Sequence, residues 1–524
     1  MQDLLEQDFG LITDLIRQHA QRDPAHTALV ESGRRLSYGE LDSLMDRVAC
    51  ALQRDGLKVG DAIAICAATS LAYAAVYLGA LRAGVVVAPL APSSTTDSLR
   101  RMVSDAKARL LFSDAFAADV VGPAPGPGDA DAGAALPRIA LDGSAFGRSL
   151  DDWLAAPGQR PAAVDVGPAD AFNIIYSSGT TGEPKGIVQS HGMRWTHVKR
   201  GITYNYTPST VTLLSTPLYS NTTLVVFFPT LGMGGCVLLM PKFEAGAYLQ
   251  LAQQHRVTHT MLVPVQYQRL MARPDFDQYD LSSYQIKFST SAPFNAAVKA
   301  DVLKRWPGGL VEFYGMTEGG GTCILEAHLY PDKLHTVGKP AVGHDIRLID
   351  DEGREVAPGE AGEIVGHSAG MMSGYYGQPK KTREAEWFST DGKRFIRTGD
   401  VGRFDADGFL TLFDRKKDMI ISGGFNIYPS DLEAELRQHP AVLESSVIGV
   451  PSEAWGETPV AYVVLKPGQA VSADELLQWF NARVGKTQRL SSVQLTSELP
   501  RSAIGKVLKR ELRDQYVAAG SSKF

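Results

Sequence analysis

The sequence predicts an α/β protein: a large N-terminal domain with mixed and parallel sheets flanked by helices, a small β-rich subdomain, and a small C-terminal α+β domain. Three observations lead to this prediction. The chain has 524 residues, more than a single core accommodates. Strand patterns alternate with helix patterns over its first part, and short strands separated by turn signals follow from about residue 346.

The first segment shows the alternation most clearly. Ser37 with Glu40 three residues later is a capping-box pattern, which predicts the start of a helix. Residues 62–66 are typical of a buried strand, and a further helix leads to a second apolar strand at residues 85–88. Strands that alternate with helices in this way predict βαβ units and a parallel sheet.

Later segments define the domain organisation. Residues 346–350 and 362–366 are typical of short strands, which predicts a β-rich subdomain over about 340–413. The charged run at 414–418 separates this subdomain from the last domain. We therefore predict an N-terminal domain of 1–413, a connection of 414–418 and a C-terminal domain of 419–524, with helices at 429–438 and 473–484 and strands at 446–450 and 459–465.

Composition narrows the function classes. A formal net charge of −6 favours neither nucleic acid nor an anionic membrane as a partner. The four cysteines are scattered without a CxxC pair, and no signal peptide is evident, so we predict a cytoplasmic protein without a disulfide framework. Two long uncharged stretches do not fit membrane spans, because they contain polar residues or are interrupted by proline and glycine. We predict a strand and a helix for residues 62–81, and a buried strand and loop for residues 201–241.

A loop rich in small hydroxyl residues carries the strongest chemical signal. It follows the apolar strand at 172–176 and offers hydroxyl and backbone N–H donors, little side-chain bulk and one lysine, which are the features that a polyphosphate needs. The residues are Ser177, Ser178, Gly179, Thr180, Thr181, Gly182 and Lys185. The loop lacks the Walker A spacing, and on its own a Gly/Ser/Thr surface turn remains the alternative.

Two other patterns are weaker. Residues 485–487, Gly-Lys-Thr, look like the end of a Walker A loop, but Phe480 stands where that motif needs glycine. His255 and His259 have the spacing of two zinc ligands on one helix, but neither the accompanying glutamate nor a third ligand is evident. We expect ordinary histidines there.

Four further segments follow the loop in a fixed order. They are Tyr-Gly-Met-Thr-Glu at 314–318, Thr-Gly-Asp at 398–400, Asp-Arg-Lys-Lys-Asp at 414–418 running into Ser-Gly-Gly-Phe-Asn-Ile-Tyr-Pro at 422–429, and Leu-Pro-Arg-Ser-Ala-Ile-Gly-Lys at 499–506. With the loop, they resemble the superfamily of acyl-CoA synthetases, luciferases and peptide-synthetase adenylation domains, and most of all a bacterial acyl- or aryl-CoA ligase. Such enzymes use ATP and Mg²⁺ to join a carboxylic acid to coenzyme A.

The resemblance implies a role for individual residues in ATP binding. The loop would bind the β- and γ-phosphates, Tyr314 and Gly315 with Ser291, Ala292 and Pro293 would contact adenine, and Asp400 and Arg415 would contact the ribose. Thr317 would touch the α-phosphate, and Glu318 would hold Mg²⁺. Lys506 would reach the carboxylate and α-phosphate from the C-terminal domain, which in this family is a mobile lid.

The resemblance also implies where the acid and the thiol lie. Lys417 would be the hinge, and Gly423 and Gly424 would line the path of coenzyme A. The acyl pocket would comprise Trp195, Tyr219, Asn221, Val263, Ser289, Met316 and Gly319. The glycine run at 319–321 removes side-chain bulk and aromatic neighbours remain, so we predict an aryl or medium-size apolar acid rather than acetate. No clear unpaired cation marks a dicarboxylate site, although Arg194, Lys199 and Arg200 could supply one.

The sequence departs from the family in three places. Ser220 stands where many relatives have histidine, which affects the expected gating between acyl and nucleotide sites. Ser291 replaces a common glycine, and residues 484–487 lack the usual Tyr-Lys-x-Pro contact to coenzyme A. Two alternatives stay open: an adenylating enzyme that loads a carrier protein or another acceptor, and a non-catalytic nucleotide-binding protein. A homodimer is left open as the oligomeric state.

Overall fold

The computed structural model describes residues 2–122, 136–177, 185–415, 418–422, 425–452, 455–502 and 505–519. The chain forms two compact units. The first comprises 1–334, 340–345 and 366–396, and the second comprises 335–339, 346–365 and 397–524. The domain limits at 413 and 419 stay a prediction.

The strands and helices are as follows. The strands are β1 Thr27–Glu31, β2 Arg34–Ser37, β3 Ala62–Cys66, β4 Val86–Leu90, β5 Ala108–Ser113, β6 Arg138–Ala140, β7 Arg148–Ser149, β8 Ala171–Ser177, β9 Lys185–Ser190, β10 Val211–Leu214, β11 Cys236–Leu239, β12 His259–Leu262, β13 Ile286–Ser289, β14 Gly309–Met316, β15 Gly319–Glu326, β16 Lys339–Pro340, β17 Asp345–Ile349, β18 Gly362–His367, β19 Gly374–Tyr375, β20 Glu386–Phe388, β21 Arg394–Phe404, β22 Leu410–Arg415, β23 Ile420–Ser422, β24 Phe425–Ile427, β25 Val442–Ser452, β26 Gly456–Leu465 and β27 Ser492–Leu495. The helices are α1 Gln2–Leu5, α2 Ile12–Arg22, α3 Tyr38–Arg54, α4 Leu71–Arg82, α5 Thr96–Asp105, α6 Ala118–Val121, α7 Leu150–Trp153, α8 His191–Thr203, α9 Asn221–Gly232, α10 Ala245–Gln254, α11 Pro264–Met271, α12 Ala296–Arg305, α13 Pro379–Glu384, α14 Pro429–Leu436, α15 Ala473–Asn481 and α16 Lys509–Ala518.

The two largest sheets both combine parallel and antiparallel strand pairs. One has the order β16-β15-β14-β13-β12-β10-β11-β1-β2 and the other β19-β9-β8-β4-β3-β5-β6-β7. Strands β3, β4 and β8 pair in parallel, as do β10, β12, β13 and β14, whereas β8–β9 and β14–β15 are antiparallel pairs. Mixed and parallel sheets flanked by helices confirm the predicted fold class.

Local sequence explains one helix of the first unit, and burial explains another. The capping box of Ser37 and Glu40 begins α3 as predicted, and α3 packs against α4. The segment 201–241 differs from the prediction, because α9 replaces the expected loop and contains Pro229. The neighbouring Phe227 and Phe228 are almost fully buried, and this burial outweighs the cost of one proline within a helix.

The smaller sheets confirm the β-rich and α+β segments. One has the order β17-β18-β21-β20 with β22 on β21, and the other β24-β23-β26-β25 with β27 on β26. Apolar side chains of α14 and α15 form one core with this last sheet, and Leu512 and Tyr516 of α16 form another. Within the described ranges, no helix is both long and apolar enough to cross a membrane.

Candidate active site

The antiparallel pair β8–β9 frames the loop that the sequence predicts to bind phosphate. Lys185 begins β9 and lies opposite Ser177 at the end of β8. Of the predicted loop residues, Ser178, Gly179, Thr180, Thr181 and Gly182 lie outside the described residues. The described strands therefore define where the loop leaves and rejoins the sheet.

Tyr375 joins Lys185 to Glu318. Strand β19 pairs with β9, with Tyr375 opposite Ile187, so the tyrosine lies two residues along the sheet from Lys185. Its hydroxyl donates a 2.9 Å hydrogen bond to Glu318 Oε1, and its ring centroid is 5.2 Å from Lys185 Nζ. Burial and the nearby carboxylate raise the pKa of Tyr375, so the hydroxyl remains a donor at neutral pH. Sequence patterns did not single out Tyr375.

Thr317 and Glu318 form the two-residue connection between β14 and β15. Met316 pairs with Gly319 across this turn. Gly319 has a φ of +79°, and a Cβ there would lie 2.0 Å from the Gly370 carbonyl oxygen, so only glycine fits. The turn thus holds the Glu318 carboxylate at the end of the sheet.

Gln189 fixes the same turn from the other sheet and was also missed by sequence reasoning. Its side chain is fully buried, because β9 places it opposite Asn173 in the interior of the sheet. Its Nε2 donates to the backbone carbonyl of Thr317 at 2.8 Å and lies 3.4 Å from Asn221 Oδ1. Its Oε1 accepts a hydrogen bond from Arg194 Nη2.

The predicted adenine and acyl residues lie on neighbouring elements of the first unit. Tyr314 and Gly315 are near the end of β14, and Ser291, which has a φ of +83°, lies in the loop after β13 with Oγ 2.5 Å from Thr222 Oγ1. Ala292 and Pro293 follow it in that loop. Among the predicted pocket residues, Ser289 ends β13, Val263 caps α11 and Asn221 begins α9.

Two predicted pocket residues have distinctive surroundings. The Ser289 hydroxyl is buried without a hydrogen-bond partner among the described residues, so it has a free donor. Burial raises the pKa of Tyr219 to about 12, and the nearby Ser93 side chain partly opposes this rise. Trp195 differs from both, because its indole packs against Gly10 and its Nε1 donates to the Gln7 carbonyl. We therefore leave Trp195 out of the proposed pocket.

The second unit holds the other predicted nucleotide residues. Asp400 and Arg415 lie opposite each other on β21 and β22, with Arg415 Nε 3.3 Å from Asp400 Oδ1. Lys506 is half-buried, and its backbone exchanges hydrogen bonds with Ser502. The predicted hinge residue Lys417 and the thiol-path residues Gly423 and Gly424 lie outside the described residues.

The pair of histidines has a structural explanation. His255 caps the C-terminal end of α10, whereas His259 lies in β12, so the two do not share a helix. Both ring nitrogens of His259 are hydrogen-bonded, to Thr258 and to the Tyr204 carbonyl. No group of three or more His, Cys, Asp or Glu side chains in the described part of the chain is arranged to hold a metal ion.

Two family models match this chain. The model of the AMP-binding enzyme family matches residues 16–376, and that of the AMP-binding enzyme C-terminal domain matches residues 431–506. The chain belongs to the AMP-binding enzyme family. The match to the first model covers more than half of the chain and includes β8, β9 and the turn at Thr317 and Glu318.

Individual relatives align with this AMP-binding enzyme over nearly their whole length. It is 35% identical to feruloyl-CoA synthase from Amycolatopsis sp (95% of this chain, 98% of the relative) and 33% identical to indoleacetate–CoA ligase from Aromatoleum aromaticum (97% and 98%). It is also 30% identical to the fatty acid–[acyl-carrier-protein] ligase ScoC from Streptomyces coeruleorubidus (95% of each chain).

A solved structure is also similar to nearly the whole chain. The crystal structure of ATP-bound MatB from Rhodopseudomonas palustris matches 96% of this AMP-binding enzyme and 99% of MatB, with a TM-score of 0.83 and 31% identity. These comparisons confirm the family, the fold class and the acid–CoA ligase class predicted from the sequence.

Proposed function

We propose that this enzyme adenylates an aryl or medium-size apolar carboxylic acid and transfers the acyl group to coenzyme A. In the first step a carboxylate oxygen attacks the α-phosphorus of ATP and pyrophosphate leaves. In the second step the thiol sulfur of coenzyme A attacks the acyl carbonyl carbon and AMP leaves. The observation that carries the proposal is the joint placement of Lys185, Tyr375 and Glu318 at the end of β9.

Individual residues are assigned to the separate parts of ATP. Thr180, Thr181 and Lys185 bind the β- and γ-phosphates, and Thr317 contacts the α-phosphate. Tyr314 stacks on adenine, Asp400 accepts hydrogen bonds from the ribose hydroxyls, and Lys506 neutralises charge where the carboxylate meets the α-phosphate. Two anions must meet in this step, so positioned cations and donors lower its barrier. Support for the ribose assignment comes from the Arg415 guanidinium beside Asp400, which keeps that carboxylate oriented.

Glu318 is the residue proposed to hold Mg²⁺. A carboxylate is the ligand that this hard cation prefers, and Mg²⁺ usually binds through one or two carboxylates together with phosphate oxygens. The described contacts of Glu318 fit this role, because Oε1 accepts one neutral hydroxyl donor and no cation pairs with the carboxylate. When bound, the ion would supply charge neutralisation at the phosphates.

An aryl or medium-size acid is favoured by the relatives and by the pocket. Feruloyl-CoA synthase and indoleacetate–CoA ligase are named for acids with aromatic rings. The residues proposed to line the pocket include the apolar Val263 and Met316 and the glycine at 319. This apolar surface suits a ring or a medium-length chain.

Pyrophosphate release over a panel of acids tests the proposal. The panel should include benzoate, cinnamate, phenylacetate, hexanoate, acetate and malonate, with ATP and Mg²⁺ at fixed concentrations. We expect the highest kcat/KM with an aromatic or medium-chain acid. Highest activity with acetate or malonate would contradict the proposed pocket, and no acid-dependent release with any acid would contradict adenylation.

A carrier protein is the second candidate acceptor, favoured by the similarity to ScoC. The first step would be unchanged, and only the thiol would differ. AMP formation measured with coenzyme A and with a phosphopantetheinyl carrier protein separates the two. We expect coenzyme A to accelerate AMP release, whereas acceleration by the carrier protein alone would establish the alternative.

A further inference from the structure

The loop after β13 contains a residue in an uncommon backbone conformation. Ser291 has a φ of +83°, in the left-handed region that residues with a Cβ rarely adopt. The other described non-glycine residues in this region have φ values between +48° and +56°, so Ser291 lies furthest from its centre at about +57°. Such a conformation persists where surrounding contacts hold it, and it often marks a functional site.

A hydrogen bond to α9 holds Ser291 in place. Its Oγ lies 2.5 Å from Oγ1 of Thr222, which is in the first turn of α9 and only 5% exposed. The two residues are 69 positions apart in the sequence. Because the threonine is shielded from water, little competes with the bond between the two hydroxyls. The bond therefore fixes the backbone of the loop near its start.

Other contacts fix the far end of this loop. The Phe294 ring stacks on Tyr267 with 5.0 Å between the ring centroids. The Asn295 side chain caps α12 by accepting a 2.8 Å hydrogen bond from the backbone N–H of Ala297. The segment 291–293, which the sequence predicts to contact adenine, is therefore held from both sides.

The first turn of α9 also connects this loop to the turn between β14 and β15. Asn221 precedes Thr222 on α9, and its Oδ1 is 3.4 Å from Gln189 Nε2. The same Nε2 donates to the backbone carbonyl of Thr317 at 2.8 Å. Neighbouring residues of one helical turn are thus bonded toward the loop predicted to contact adenine and the turn predicted to contact the α-phosphate.

Glycine would fit the backbone at position 291 better than serine does. Glycine adopts a positive φ without steric cost, whereas serine is strained there. Serine adds one polar group, the hydroxyl, and that group makes the bond to Thr222. Ser220 bonds to the same threonine, because its Oγ accepts a 3.3 Å hydrogen bond from the Thr222 N–H. Thr222 therefore joins the two serines that stand where many relatives have histidine and glycine.

We propose that Thr222 and Ser291 are a positioning pair, whose hydroxyl–hydroxyl bond holds the adenine loop against α9 and so increases the affinity for ATP. This inference rests on the proposed function and on the assignment of residues 291–293 to adenine. A loop that is already in its binding conformation does not have to be ordered when ATP binds, so less binding free energy is lost.

Isothermal titration calorimetry with ATP and Mg²⁺, in the absence of any acid, tests this. Thr222→Val keeps the shape and removes the hydroxyl, and we expect the Kd for ATP to rise roughly three- to tenfold. Thr222→Ser keeps the hydroxyl and should keep the wild-type Kd. The control is Thr230→Val, which removes a buried hydroxyl of the same helix that bonds to the Val226 carbonyl and to Thr212. It should lower stability without changing the Kd.

Two variants of Ser291 separate positioning from stability. Ser291→Ala should also raise the Kd, and its combination with Thr222→Val should add little, because both changes break the same bond. Ser291→Gly relieves the strained φ while it removes the hydroxyl, so we expect thermal unfolding close to the wild type together with weaker ATP binding.

Three outcomes overturn the inference. They are a wild-type Kd in folded Thr222→Val, a wild-type Kd in Ser291→Gly, and effects of Thr222→Val and Ser291→Ala that multiply in the double variant. Ser291→Gly keeps the test decisive if Thr222→Val fails to fold. The titration contains no acid, so a failure of acid-dependent pyrophosphate release would overturn the proposed function and leave this inference standing. A wild type that does not bind ATP would overturn both.

Discussion

Gln189 Nε2 donates a 2.8 Å hydrogen bond to the backbone carbonyl of Thr317, which joins the end of β9 to the turn between β14 and β15. The amide is fully buried, and Arg194 holds its other end. Two elements that the sequence predicts to bind different parts of ATP are therefore fixed to each other by one side chain.

Replacing this amide should impair adenylation. Gln189→Leu keeps the approximate size but leaves the Thr317 carbonyl without its donor, at a cost of about 1–3 kcal/mol. We expect ATP–pyrophosphate exchange to fall by roughly tenfold or more. Gln254→Leu, at the exposed end of α10, is the control and should behave like the wild type. Full activity of folded Gln189→Leu would show that the bond does not position the turn.

Loss of the Tyr375 hydroxyl should weaken the response to Mg²⁺. Tyr375→Phe removes the 2.9 Å hydrogen bond to Glu318 Oε1 and leaves the ring beside Lys185. Because the carboxylate is then less well oriented, we expect the Mg²⁺ concentration for half-maximal activity to rise several-fold. Titration of Mg²⁺ at saturating ATP measures this. Tyr376→Phe is the matched control, and an equal response in both variants would argue against the orienting role.

Asp400 should affect ATP affinity more than turnover. Asp400→Ala removes the acceptor proposed for the ribose hydroxyls and leaves Arg415 without this carboxylate. We expect the KM for ATP to rise roughly ten- to a hundredfold, since hydrogen bonds to a charged group are lost. Asp407→Ala, in the exposed turn of the same hairpin, is the control. An unchanged KM for ATP would remove Asp400 from the nucleotide site.

Lys506 should act in the first step only. In Lys506→Ala we expect acid-dependent ATP–pyrophosphate exchange to fall by about 10²–10³-fold, as when a preorganised charge is removed from a reacting centre. Conversion of chemically prepared acyl-adenylate by coenzyme A should stay within a few-fold of wild type. Arg510→Ala, an exposed cation on α16, is the control. Unchanged exchange in Lys506→Ala would refute its assigned role.

Stability should fall on mild acidification. Burial lowers the pKa of both His191 and His259 to about 4, whereas an unfolded histidine titrates near 6.5. The unfolded state therefore binds more protons below pH 6.5, and the free energy of unfolding decreases as pH falls from about 6.5 to 4. Urea denaturation should show a decrease on the order of 1–3 kcal/mol per buried imidazole.

Substitution isolates one of these histidines. His259→Gln should make the pH dependence between 6.5 and 4 shallower, because one neutral imidazole no longer resists protonation. Gln254→Leu, which removes no titratable group, should leave the slope unchanged. The same slope in wild type and His259→Gln would show that this group does not contribute.

Much of the fold was predictable because its signals are local. The capping box at Ser37 determines the start of α3 through contacts three residues apart. The strands at 62–66 and 171–177 can be predicted from their apolar composition. The helix around Pro229 was missed, since its local signals favour a break and only burial in the core stabilises it.

By itself the sequence determined the family, the fold class and the identity of the chemical groups, because the motifs are contiguous and occur in a fixed order. Tertiary structure alone decided how those groups are held. Gln189 reaches Thr317 across 128 residues and Tyr375 reaches Glu318 across 57. Such pairs follow from strand order and burial, which bring distant residues to the same end of the sheets, and no local pattern encodes them.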